Sequence, residues 1–70
     1  NSIITIKSNE IIINKIEIYS MSGKLIKKSD QINSNIFELN TVSFKNGVYF
    51  IRIIDLYQRQ QTLKLIIDHK

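Results

Sequence analysis

Few side chains in this sequence could do covalent chemistry. Its 70 residues include one histidine, no cysteine and six carboxylates. The histidine, His69, stands beside Asp68 near the end, where a general base lacks a rigid support. Without cysteine there is no thiolate nucleophile, disulfide or thiolate metal ligand. The serines have no buried base to activate them unless His69 folds back. Asp68 and His69 together are too few for a zinc site. The carboxylates Glu10, Glu17, Asp30, Glu38, Asp55 and Asp68 fall mostly where turns or polar faces are expected. Gly23 and Gly47 are too far apart to form a phosphate-cradling loop. The expectation is a non-enzyme with no catalytic residue, metal or cofactor.

The remaining chemistry is charge and recognition. The net charge is +4, but Lys7, Lys15, Lys24, Lys27, Lys28, Lys45, Arg52, Arg59, Lys64 and Lys70 are scattered along the chain. A nucleic-acid interface would concentrate them on one face. Scattered lysines fit solubility and protection of sheet edges. Lys24, Lys27 and Lys28 also admit a competing phosphate-binding reading. Lys45-Asn46-Gly47-Val48-Tyr49-Phe50-Ile51 has the look of an RNA-stacking strand, but Tyr49 and Phe50 are adjacent and so point to opposite faces. Neither a nucleic-acid partner nor stable membrane insertion is expected, since no apolar run approaches the roughly 18 residues of a membrane helix.

The elements that must present these residues read as strands. Phe44 to Ile54 organises the rest. Asn46-Gly47 is a turn in which both residues tolerate positive φ. The run after it is β-branched, aromatic and aliphatic. Tyr49, Ile51 and Ile53 share one face; Val48, Phe50, Arg52 and Ile54 share the other. With both faces nearly apolar, it reads as a central, largely buried strand.

The flanking segments are shorter. Ser2 to Lys7 is a strand with Ile4 and Ile6 on one face. Ile11-Ile12-Ile13 is either a buried strand or a connector. Ile16 and Ile18 face inward, Glu17 and Tyr19 outward. Ser20 to Gly23 is a tight turn with Gly23 in the left-handed position, and Lys24 to Lys28 pairs back as a hairpin strand. Ser29 to Asn35 is a loop. In Ile36 to Leu39, Phe37 and Leu39 are assigned to the core. Val42 and Phe44 are expected to plug the core's end. Asp55 to Gln60 turns the chain, Gln61 to Ile67 is the last strand, and Asp68 to Lys70 is a polar tail.

Helical period is absent, and turns recur every few residues. The expected fold is a small all-β, antiparallel β-sandwich of about six to seven short strands. Residues 1–70 make one domain, too small to bury much of its surface. The start at Asn1, without Met, suggests a piece of a longer polypeptide, its C-terminal end.

In order, the pieces resemble the type IX secretion system C-terminal sorting domain (type A) of the Por secretion system family, found on exported proteins of Bacteroidetes-type bacteria. Ile16 to Ile26 is similar to the family's strand–turn–strand block ending in Gly-Lys-hydrophobic. Leu39 to Ile53 matches its polar loop and the Asn-Gly-Val-Tyr strand. Thr62 to Ile67 is similar to its terminal strand, with a basic residue before a hydrophobic run. The family usually begins with Pro-Asn-Pro. This chain has no proline, so that segment is expected upstream of Asn1.

The resemblance implies an immunoglobulin-like sandwich that labels a covalently linked upstream cargo. The cargo would reach the periplasm and be recognised by the type IX machinery. It would then cross the outer membrane and be released or anchored at the cell surface after a sortase-type peptidase removes the domain. Lys64, Leu65, Ile66, Ile67 and Lys70 are the candidate recognition residues, with Lys64 a better match than Lys70 to the family's basic position. Gly23, Gly47 and Tyr49 are the structural motif residues. The competing reading is a structural or carbohydrate-binding sandwich module, for which only Tyr19 and Tyr57 offer aromatic contacts.

Overall fold

The computed structural model describes residues 3–69. Six strands follow in order: β1 (Ile3–Lys7), β2 (Ile13–Ser20), β3 (Leu25–Ser29), β4 (Ile36–Asn40), β5 (Gly47–Asp55) and β6 (Gln60–Ile67). They form a two-stranded sheet, β1-β4, and a four-stranded sheet in the order β3-β2-β5-β6. All pairings are antiparallel. The expected all-β sandwich is observed.

Alternation builds the core. Ile16 and Ile18 on β2 lie opposite Ile53 and Ile51 on β5, and all four are buried. Leu39 of β4 is fully buried in the same cluster, with Ile4, Ile6 and Phe37 packed against it. The small sheet therefore covers one face of the large one. Burying each large aliphatic side chain in this cluster contributes about 1.5–3 kcal/mol, the main stabilising source in a chain without disulfides.

β5 is central, as expected; it is buried along its inner face and, on the other face, only at Ile54. Tyr49, Ile51 and Ile53 are buried, whereas Val48, Phe50 and Arg52 are half-buried. Among the described residues the second sheet lies over the opposite face, so these three are shielded by neighbours within their own sheet. Ile11 and Ile12 belong to a connector, and the strand begins at Ile13, bridged to Ser34.

Three further expectations need correction. Val42 does not plug the core: it is 66% exposed, and Thr41 is buried instead. The Val42 amide donates to Asn40 Oδ1 (3.0 Å) and the Phe44 amide to the Thr41 carbonyl (3.0 Å). The resulting turn pushes Val42 outward. Phe44 is buried as expected. Of Asn46-Gly47, only Gly47 has positive φ, at 154°; Asn46 contributes its side chain. Finally, Asp55 is not on a polar face but is buried.

Candidate recognition surface

Four of the five candidate recognition residues, Lys64, Leu65, Ile66 and Ile67, lie on β6, a free edge of the large sheet. Lys64 pairs with Phe50, Leu65 with Tyr49, Ile66 with Val48 and Ile67 with Gly47. The pleat divides them between faces. Lys64 and Ile66 are exposed, with Ile66 at 67%, while Leu65 is half-buried and Ile67 is buried in the core. Only Lys64 and Ile66 present side chains outward together. Lys70 lies outside the described residues.

The two edges of the large sheet differ chemically. β3 carries Lys27 and Lys28, follows Lys24, and departs from regular register against Ile18–Tyr19. Lysines and a bulge both discourage strand addition. β6 pairs over its whole length without a register shift, carries Lys64 as its single charge, and leaves Leu63 and Ile66 exposed. At eight residues it is the longest edge strand, the other edge strands having five.

Of the structural motif residues, Gly23 lies in the β2–β3 turn, and Gly47 and Tyr49 lie at the start of β5, beside β6. Gly23 has φ 90° in the turn closed by its amide donating to the Ser20 carbonyl (2.9 Å), so the expected left-handed position is observed. At Gly47 an added Cβ would meet nothing within 4 Å; the requirement there is conformational. Tyr49 is buried, its ring packs against Phe44 with centroids 5.3 Å apart, and its hydroxyl donates to the Lys45 carbonyl (2.7 Å).

His69 is not part of a loose tail. Its amide donates to Asn46 Oδ1 (2.8 Å) and its ring Nε2 lies 2.7 Å from the Phe44 carbonyl. A carbonyl can only accept, so Nε2 carries the proton. Residues 44–46, Tyr49 and the end of β6 thus form one hydrogen-bonded junction. Adjacent polar residues at a chain end give no hint of a partner in a distant loop. Asn46, already legible as a turn residue, was the available signal.

Two charged clusters also escaped the sequence reading. On the outer face, Tyr19 Oη donates to Glu17 Oε1 (3.0 Å), the Arg52 guanidinium reaches the same oxygen (3.4 Å), and it lies 5.3 Å from the Tyr19 ring centroid. The bond to Glu17, with burial and the Glu17 charge, raises the Tyr19 pKa, opposed by Arg52. In the β5–β6 turn, Asp55 Oδ1 accepts from the amides of Tyr57 (2.8 Å) and Arg59 (2.9 Å), and Oδ2 accepts from Arg59 Nε (2.7 Å). Burial pushes the Asp55 pKa up, but these donors outweigh it and hold the carboxyl below its ordinary range.

Tyr19 and Tyr57 form no shared aromatic platform. Tyr19 sits beside Phe50 in the sheet, and Tyr57 lies in the turn beneath the Arg59 guanidinium. No group of three or more metal-ligating side chains occurs among the described residues.

The geometry is that of a rigid sandwich with one long unprotected edge. Comparison with known proteins gives a family model, described as secretion system C-terminal sorting domain, that matches residues 1–68. No curated protein matches the chain.

Proposed function

The chain belongs to the secretion system C-terminal sorting domain family, and from that membership we propose that it is read through the free edge of β6. The family is a sorting signal for type IX secretion: it interacts with the secretion machinery and directs export toward the cell surface or the medium. The reading added here is how that signal is presented. A folded sandwich displays the β6 backbone for pairing by a strand of the machinery. Lys64 supplies the charge that orients it, and Ile66 supplies apolar contact.

The observation that carries this reading is the asymmetry of the two edges. A long, regular edge with one charge is an aggregation liability that proteins normally blunt, and β3, which exposes Leu25 and Ile26, carries the usual remedies. Leaving β6 unblunted fits an edge kept open for a partner.

In the accompanying sequence of events, the cargo is covalently linked upstream, passes through the periplasm and crosses the outer membrane. A sortase-type peptidase then removes the domain. Lys70 joins Lys64 as a basic contact. Gly23, Gly47 and Tyr49 act indirectly, by keeping the sheet that presents β6.

The test is export of a fluorescent reporter that carries a Sec signal and ends in residues 1–70. It is expressed in a host with a working type IX system and in a secretion-defective strain. Wild-type fusion should appear outside only the first. Lys64→Glu and Ile66→Asp change exposed side chains and should fold yet remain inside. Folded double variants exported at the wild-type level would sink the β6 reading while leaving the family assignment untouched.

A further inference from the structure

We propose that the cleft between β3 and the 41–46 loop is a binding site for a phosphate-type anion carried on an apolar or ring-shaped body. The cleft measures about 430 Å³, within the range of small-ligand sites. Lys24 and Lys27 border it from the β3 side and Lys45 and Ser43 from the loop; no lining residue is acidic.

Edge protection accounts for Lys24 and Lys27 beside the β3 edge but not for Lys45. A protective lysine needs only to project from its own strand. Here Lys45 comes from a different segment and converges with Lys24 and Lys27 on one space. Lys28, on the same strand, is occupied by Asp30 (3.7 Å). Among the described residues, Lys24, Lys27 and Lys45 have no ion-pair partner. Three lysines without an ion-pair partner thus line a cleft that holds no acidic residue, so an anion entering it meets only favourable charge.

The backbone is shaped to the same end. Register slips by one residue between the Ile18–Lys27 and Tyr19–Leu25 pairs, leaving Ile26 as the extra residue of a bulge. In a regular strand, neighbours face opposite sides. The bulge lets Ile26 and Lys27 both line the cleft. The Tyr49 hydroxyl fixes the Lys45 carbonyl, and Phe44 and Tyr49 supply an aromatic wall. Ammonium point charges and a hydroxyl suit phosphate oxygens; Ile26 and the aromatic wall suit an apolar or ring-shaped attachment.

This site is independent of the export reading. β3 and β6 are opposite edges of the sheet, so either assignment can fail alone. A phosphate monoester could be soluble or form a lipid headgroup, and the experiment separates these sources.

Inorganic phosphate is titrated into the 70-residue chain at low ionic strength, against chloride at matched ionic strength, with amide shifts read by NMR. Saturating shifts are expected at Lys24, Lys27, Ser43 and Lys45, and not at Lys7 or Lys64. Lys45→Gln should keep the spectrum dispersed and weaken binding about tenfold, the scale of one charge-assisted hydrogen bond.

In the second arm, the chain is sedimented with phosphatidylcholine vesicles with or without phosphatidic acid. Phosphate saturation without vesicle binding assigns a soluble ester. Binding only to vesicles with phosphatidic acid, reduced by Lys45→Gln, assigns a headgroup. No saturation in either arm, or equal shifts at Lys7 and Lys64, overturns the proposal. So does preference for a polyglutamate peptide over phosphate.

Discussion

Replacing Tyr49 separates what its ring contributes from what its hydroxyl contributes. The side chain is buried, packs on Phe44 at 5.3 Å and donates a 2.7 Å bond to the Lys45 carbonyl. Tyr49→Phe keeps the ring and removes one neutral hydrogen bond, so the expected loss is about 1 kcal/mol. Because Lys45 is exposed, water can reach its carbonyl and limit that cost. For a domain of this size each kcal/mol shifts the melting temperature by about 4–8 °C, so the melting point should fall by about that interval. Tyr49→Ala also removes the ring and leaves a cavity, at a cost of about 3–5 kcal/mol. Total stability is about 0.05–0.15 kcal/mol per residue, so Tyr49→Ala should remove a large part of it. Urea titration followed by far-UV circular dichroism measures both variants. Equal losses would refute the division between ring and hydroxyl. A Tyr49→Ala loss under about 1 kcal/mol, typical of a less critical site, would refute the claim that Tyr49 closes the core.

Gly47→Ala should destabilise by about 1–3 kcal/mol, the cost of holding a side chain in a sparsely populated backbone region; equal thermal melts for variant and wild type would contradict it. The lowered Asp55 pKa stabilises the fold above the carboxyl's unfolded value near 3.8, and that contribution is lost as pH falls through the still lower folded value. Asp55→Asn should therefore flatten the acid limb of a stability–pH profile, and an unchanged limb would show that another carboxylate dominates it. Tyr19 shifts the other way, so its contribution is present below pH 10.0 and lost as pH rises through the higher folded value; spectrophotometric titration of Tyr19→Phe against wild type should show the loss of one raised tyrosine transition. His69→Ala should loosen the junction without unfolding the core, read as faster amide exchange at Phe44 to Asn46 and at the end of β6, with Ile16 and Ile18 unchanged.

Strand identity, turn positions and most of the core were readable from local pattern. Ile16-Glu17-Ile18 alternates because one face of β2 meets the small sheet and the other meets solvent. Gly23 marks a left-handed turn because few other residues occupy that region cheaply. Alternation in β4 left two choices, Ile36 with Glu38 or Phe37 with Leu39; the second faces the core, and Leu39 is fully buried. Val42 failed because local hydrophobicity says nothing about a turn that Asn40 and Thr41 close around it. Asp55 failed because a lone acidic residue reads as polar surface, whereas its burial depends on three donors, two of them backbone amides.

Periodicity, turn chemistry and the order of motifs were enough for an all-β sandwich and its sorting family, because each is a property of neighbours along the chain. The free β6 edge, the His69–Asn46 junction, the Glu17–Tyr19–Arg52 cluster and the lysine cleft were not. Each depends on register or packing between segments distant in sequence. Which strand lies next to which is settled by the collective burial of the isoleucine core, and no short stretch encodes that outcome.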